Sequence, residues 1–212
     1  MATKLGIWNE ALAALGLRIV TAAQVTTPND EPSRVLNEIY DSAVATCLET
    51  GHWKFASKVA ALTPSLTEIP TFGYTNAFAK PTDYVRANQI ATDEYFNSPL
   101  SRYADRGGYW YAEEETLYVE YVSNATTLGL DLTLWPQTFA DYVALYLAHK
   151  VSRRLQPDKE TDVEDKVERA KLNALAKDAV LGPTQFLPPG RWSSARVGNR
   201  QFRQSNSSLY GS

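Results

Sequence analysis

The feature that most constrains this chain is a change of hydrophobic period, from helical to alternating near Trp53 and back to helical near Pro136. Apolar residues three and four apart define one face of a helix, whereas strict alternation defines one face of a strand. Thr3 to Leu15 places Leu5, Trp8, Leu12 and Leu15 on a helical stripe, with Gly16 as a C-cap. Asn29 and Asp30 are N-capping types, Pro32 suits a first turn, and Val35, Ile39, Ala43 and Cys47 run beside Leu36, Tyr40, Val44 and Leu48 until Gly51. This predicts a long helix.

From Trp53 the pattern alternates. Trp53, Phe55, Ser57 and Val59 face away from Lys54, Ala56 and Lys58, and Phe72, Tyr74, Asn76 and Phe78 repeat the alternation before Pro81. "YVRANQIA", "GGYWYAE" and "TLYVEYV" follow, punctuated by Asn97-Ser98-Pro99 and Gly107-Gly108, which reads as one small antiparallel sheet. Helical period resumes at "WPQTFADYVALYLAHKVSRRL", where Pro136 fits a first helical turn and Phe139, Val143, Tyr146 and either Lys150 or Ala148 lie near one face. Another helix is expected from about Asp158 to Ala179, acidic early and basic late as the helix dipole favours. The expected fold is α+β. About four helices form a bundle from residues 1–52 and 124–181, residues 53–123 insert a small antiparallel sheet, and residues 182–212 form an extended carboxyl-terminal arm.

The arm differs chemically from the body. "LPPGRWSSARVGNRQFRQSNSSLYGS" carries Arg191, Arg196, Arg200 and Arg203 without an acid, so the net charge of −3 conceals an acidic body of −7 over residues 1–182. Its prolines, glycines and polar residues show no helical or strand period, which predicts disorder in an isolated monomer. Three readings fit it: a nucleic-acid tail, a partner-docking peptide, or a featureless end. Nucleic-acid tails usually carry denser basic blocks, whereas here the arginines alternate with Trp192, Val197, Phe202, Leu209 and Tyr210, as suits docking to protein. Ordering such a peptide costs about 1–2 kcal/mol per residue in backbone entropy, so docking needs extensive burial or many linked copies.

Motifs for chemistry are sparse. His52 and His149 stand far apart without a metal-ligand motif, and no phosphate loop, GxSxG elbow or kinase signature occurs. Glu113, Glu114 and Glu115 read as a solvated strand edge rather than a cation site. Tyr109, Trp110 and Tyr111 are consecutive, so a strand must turn at least one of them outward, and Trp110 and Tyr111 are candidate partner contacts. The lone Cys47 falls in a helical stripe and is expected to be a buried thiol. No metal, cofactor or catalytic set is expected. The amino terminus lacks the features of a signal peptide, and no apolar run approaches the ~20 residues that span a bilayer.

Six segments, in order, resemble the tail tubular protein A family of short-tailed, T7-like bacteriophages: "ALAALGLRIV", "RVLNEIYDSAVATCLETGHWKFASKVAAL", "FAKPTDYVR", "LYVEYV", "WPQTFADYVALYLAHKVSRRL" and "RAKLNALAKDA". The similarity covers about residues 4 to 180. Lys80, where the family usually has leucine, and Val59, where a basic residue is common, depart from the pattern. The resemblance implies a structural virion protein that catalyses nothing: a head-to-tail adaptor ring, typically twelvefold in the family, between the portal protein and a tail nozzle of tail tubular protein B type. DNA would pass through its channel without specific binding, and assembly would take place in the host cytoplasm. The arm would dock on the portal through Arg191, Trp192, Arg196, Arg200, Phe202 and Arg203, with Trp110 and Tyr111 toward the nozzle or a neighbour. The runner-up expectation is a nucleic-acid-binding protein that uses the arm on phosphates.

Overall fold

A computed structural model describes residues 1–70 and 73–180, and Met1–Leu181 form one compact unit. The fold is α+β: the described residues form five α-helices and two antiparallel three-stranded sheets. In chain order these are α1 (Lys4–Leu15), α2 (Ala22–Thr26), α3 (Glu31–Glu49), β1 (Ser57–Leu62), β2 (Asn76–Ala79), β3 (Tyr84–Ala91), β4 (Ala104–Arg106), β5 (Tyr109–Ala112), β6 (Leu117–Ser123), α4 (Gln137–Leu155) and α5 (Glu160–Val180). None of these helices is long and apolar enough to cross a membrane.

The helical core follows from the stripes. α1 begins at Thr3, whose hydroxyl accepts the Gly6 N–H at 3.1 Å, and ends at Gly16 with φ 72°, a left-handed cap that glycine adopts without a Cβ penalty. Its Trp8, Leu12 and Leu15 pack with Leu36, Val44 and Leu48 of α3 and with Phe139, Val143, Leu147 and Val151 of α4. Each such side chain contributes about 1.5–3 kcal/mol when fully buried. On α4 Phe139, Val143 and, of the two alternatives, Ala148 are buried as expected, joined by Leu147 and Val151; Tyr146 is only half-buried and Lys150 is exposed, with its ammonium 5.3 Å from the Tyr146 ring centre. Pro136 is the N-cap of α4 and precedes its first turn. α2 escaped the periodic reading because five residues are too few to show a period; the Gln24 side chain accepts the Thr21 N–H at 2.8 Å.

Trp53 marks the largest departure near the junction. The expected strand from Trp53 starts four residues later, after a 3-10 turn at Lys54–Ala56. Trp53 belongs to the helical core instead: its indole N–H donates to the Cys47 carbonyl at 3.0 Å, and its ring meets Phe139 edge-on with centroids 4.7 Å apart. That turn also shifts the phase of β1, so Lys58, Ala60 and Leu62 share the face of the sheet core while Val59 points out, 57% exposed. The following Lys54 secures the far end of the bundle. Its backbone N–H donates to the Asp178 carboxylate at 3.0 Å, and its ammonium donates to the Asp178 and Ala179 carbonyls at 2.9 and 3.1 Å, satisfying the open end of α5.

The inserted β region is two sheets where the sequence suggested one. The first has the order β1-β6-β3 and the second β2-β5-β4. β6 is central to the first, with Lys58 opposite Tyr121 and Ala60 opposite Val119 on one side, and Ala87 opposite Tyr121 and Ile90 opposite Val119 on the other. The sheets share a second core of Phe78, Ile90, Trp110, Leu117, Val119 and Tyr121. β4 and β5 are joined by Gly107 and Gly108, with φ of 55° and 88°, the positive pair that a two-residue hairpin turn requires. A short strand length explains the split: β2, β4 and β5 have three or four residues each and pair only among themselves.

Candidate interaction surface

Strand β5 alternates as the pleat demands. Trp110 points into the second core at 1% exposure, while Tyr109 and Tyr111 point outward and are half-buried, with ring centroids 6.5 Å apart. Trp110 is thus not a surface contact, which corrects half of the sequence assignment. Its indole N–H donates to Asp105 Oδ2 at 3.2 Å, and its ring packs edge-on to Tyr84 at 5.2 Å. Lys80 lies over both rings at 5.3 and 4.8 Å and pairs with Asp105 at 2.6 Å, its side chain 17% exposed. Trp110 therefore stiffens the strand from beneath, so that the two flanking tyrosines are held in place.

Tyr111 sits on the outward side of the second sheet. Its hydroxyl donates to Glu68 at 3.1 Å, and burial together with that carboxylate raises its pKa above the usual tyrosine value. Beside it, Glu68, Ile69, Pro70, Tyr74, Ala104 and Arg106 complete a cavity of about 190 Å³. The β1–β2 loop carries two exposed aliphatic residues, Leu66 at 95% and Ile69 at 77%, and Tyr103 is exposed nearby in sequence to β4. Tyrosines and aliphatics without a fixed catalytic partner suit contact with another protein, since such residues supply large area at low entropic cost.

The acidic run lies at the end of β5. Glu113 pairs loosely with Arg102 at 3.5 Å with both side chains exposed, a contact worth little in water, and the Glu113 and Glu114 carbonyls accept from Thr75 and Asn76. Among the described residues no three His, Cys, Asp or Glu side chains converge as a metal site. The two histidines stand apart: His52 Nδ1 lies 2.6 Å from Asn88 Oδ1, whereas His149 Nδ1 is buried without a partner on α4. Cys47 is fully buried, and burial pushes its thiol up to about 12, which makes a thiolate nucleophile inaccessible at neutral pH.

A strong carboxylate hub lies where β3 meets β6, a feature no sequence pattern signalled. Asp83 accepts hydrogen bonds from the Tyr121 hydroxyl at 2.9 Å, the Ser123 hydroxyl at 2.7 Å and the Lys58 ammonium at 2.9 Å. Burial alone would raise its pKa, but the Ser123, Lys58 and Tyr121 donors outweigh burial and lower it to about 2. The hub ties Lys58 of β1 and Tyr121 and Ser123 of β6 to the residue that precedes β3. The portal-docking candidates Arg191, Trp192, Arg196, Arg200, Phe202 and Arg203 lie outside the described residues. No family model matches the chain, and no curated protein matches its sequence.

Proposed function

We propose that the protein is a head-to-tail adaptor of a short-tailed bacteriophage: a virion ring, twelve copies round, that extends the portal channel toward the tail nozzle. The observation that carries this reading is the ordered run of family-like segments over residues 4 to 180. In the fold those segments fall on α1, on α3 through β1, on the β2–β3 connection, on β6, on α4 and on α5, the elements that build the two cores. In this role residues 182–212 dock on the portal, with Arg191, Arg196, Arg200 and Arg203 seeking acidic partners and Trp192 and Phe202 acting as anchors. Tyr111, with the Leu66–Ile69 loop, faces the nozzle or a neighbouring copy. Trp110 supports that face from within. The acidic body suits a wall along which DNA slides, because like charge keeps phosphate from adhering.

The test is removal of residues 183–212 followed by measurement of binding to portal rings. The adaptor reading expects binding to fall to background, and undiminished binding sinks the docking assignment. The charge of the arm also keeps a nucleic-acid role in view. That role expects affinity for plain duplex DNA that drops steeply with salt, whereas an adaptor shows little binding at physiological salt.

A further inference from the structure

Unpaired N–H and C=O groups along a sheet edge are a template for another strand, so folded proteins blunt their edges. Three of the four edges here are blunted. The outer edge of β2 receives the Ser65 N–H on the Ala77 carbonyl at 2.7 Å. β3 is interrupted by two register shifts and covered by Pro99 and Leu100, whose N–H donates to the Ile90 carbonyl at 2.9 Å. β4 has three residues, two of them the exposed and charged Asp105 and Arg106.

Among the described residues nothing protects β1 in this way. It runs six residues in unbroken register with β6, contains neither proline nor bulge, and among the described residues pairs on that side alone. Its sequence, "SKVAAL", has one charge, Lys58, and that ammonium is held by Asp83. Val59 and Ala61 are exposed on the face away from the sheet core. The edge therefore combines backbone groups that no described strand pairs, a straight register and an apolar surface.

We infer that this edge pairs with β1 of a second copy of the chain, antiparallel about a two-fold axis, to give one continuous sheet of order β3-β6-β1-β1-β6-β3. A second copy can offer only its own β1, because the other three edges of the described body are covered or blunted. Side chains directly opposite in an antiparallel pair share a face, so a two-fold register must be centred on a residue. Only the register centred on Ala60 pairs all four apolar residues, Val59 to Leu62, within Ser57–Leu62. It sets Val59 against Ala61 of the second copy on the solvent face and Lys58 against Leu62, and no like charges oppose one another. The inference does not depend on the adaptor reading, since a two-fold pair is distinct from a ring of equivalent neighbours.

The test is sedimentation velocity of the full chain over a wide concentration range, without portal. The wild type is expected to shift reversibly from the mass of one copy to two. Val59→Lys combined with Ala61→Lys changes exposed positions and sets like charges opposite twice per dimer, so the dimer should weaken by about tenfold or more. Val59→Lys combined with Ala61→Glu sets opposite charges there and should restore it, while circular dichroism checks that each variant is folded. A wild type that stays at one copy throughout, or two double variants that associate alike, overturns the inference. Portal binding is read separately, so a chain that docks on portal rings yet never pairs alone refutes the β1 dimer and leaves the adaptor reading standing.

Discussion

Replacing Asp83 with alanine tests whether the carboxylate hub holds the β region together. Tyr121 and Ser123, whose hydroxyls donate to it, are 1% and 0% exposed, so water does not take over the lost acceptor. A hydrogen bond from a buried hydroxyl to a charged acceptor is worth about 1.5–3 kcal/mol, and the half-exposed Lys58 pair adds about 1 kcal/mol at most. Asp83→Ala should therefore cost about 3 kcal/mol or more in urea unfolding at neutral pH, and Asp83→Asn, which keeps one acceptor, about 1–2 kcal/mol. The carboxylate also carries a pH signature. Its folded pKa of about 2 is below the ordinary 3.8, so its stabilisation is fully present above 3.8 and is lost as pH falls through about 2. Screening by solvent at the Lys58 side reduces that acid-sensitive part to about 1 kcal/mol. Between about pH 5 and about pH 2 the wild type should lose that much more stability than Asp83→Asn. A cost below about 1 kcal/mol for Asp83→Ala, or identical acid profiles for wild type and Asp83→Asn, refutes the reasoning.

Other outcomes follow from single contacts. A Cβ at Gly129 would collide with the Ser123 carbonyl oxygen, while the Gly129 carbonyl already accepts the Trp135 indole N–H at 2.9 Å, so Gly129→Ala should lower stability by about 1–3 kcal/mol in thermal or urea unfolding. Phe139→Ala removes a ring that touches Trp53, Phe55 and Trp135 and should cost about 3–5 kcal/mol, read as a lower urea midpoint with an unchanged slope. Cys47, buried with a pKa pushed up to about 12, should resist thiol reagents in the native protein and react promptly once urea unfolds it; fast labelling of the folded chain would contradict its burial.

The long helices were legible because each carries enough turns for its stripe to repeat: Val35 to Leu48 in α3 fills the core much as the spacing demands. Short elements were not. α2 has too few residues for a period, and Trp53 alternates with its neighbours in sequence but is drawn into the helical core by Phe139 and the Cys47 carbonyl, which shifts the phase of β1. The aromatic triplet showed that something must face outward without saying which residue. The hairpin pairing of Asp105 with Trp110 and the long-range pairing of Phe78 with Trp110 decide for Tyr109 and Tyr111. Asp83 was invisible because its three donors come from positions 25 to 40 residues away. Pairing across a sheet is a tertiary fact, and local periodicity carries no trace of it.

Electron micrographs of the purified protein mixed with portal rings, beside each component alone, test the proposed adaptor ring. An added ring of density coaxial with the portal is expected, absent when residues 183–212 are deleted. Portal rings that remain bare at saturating protein would contradict it.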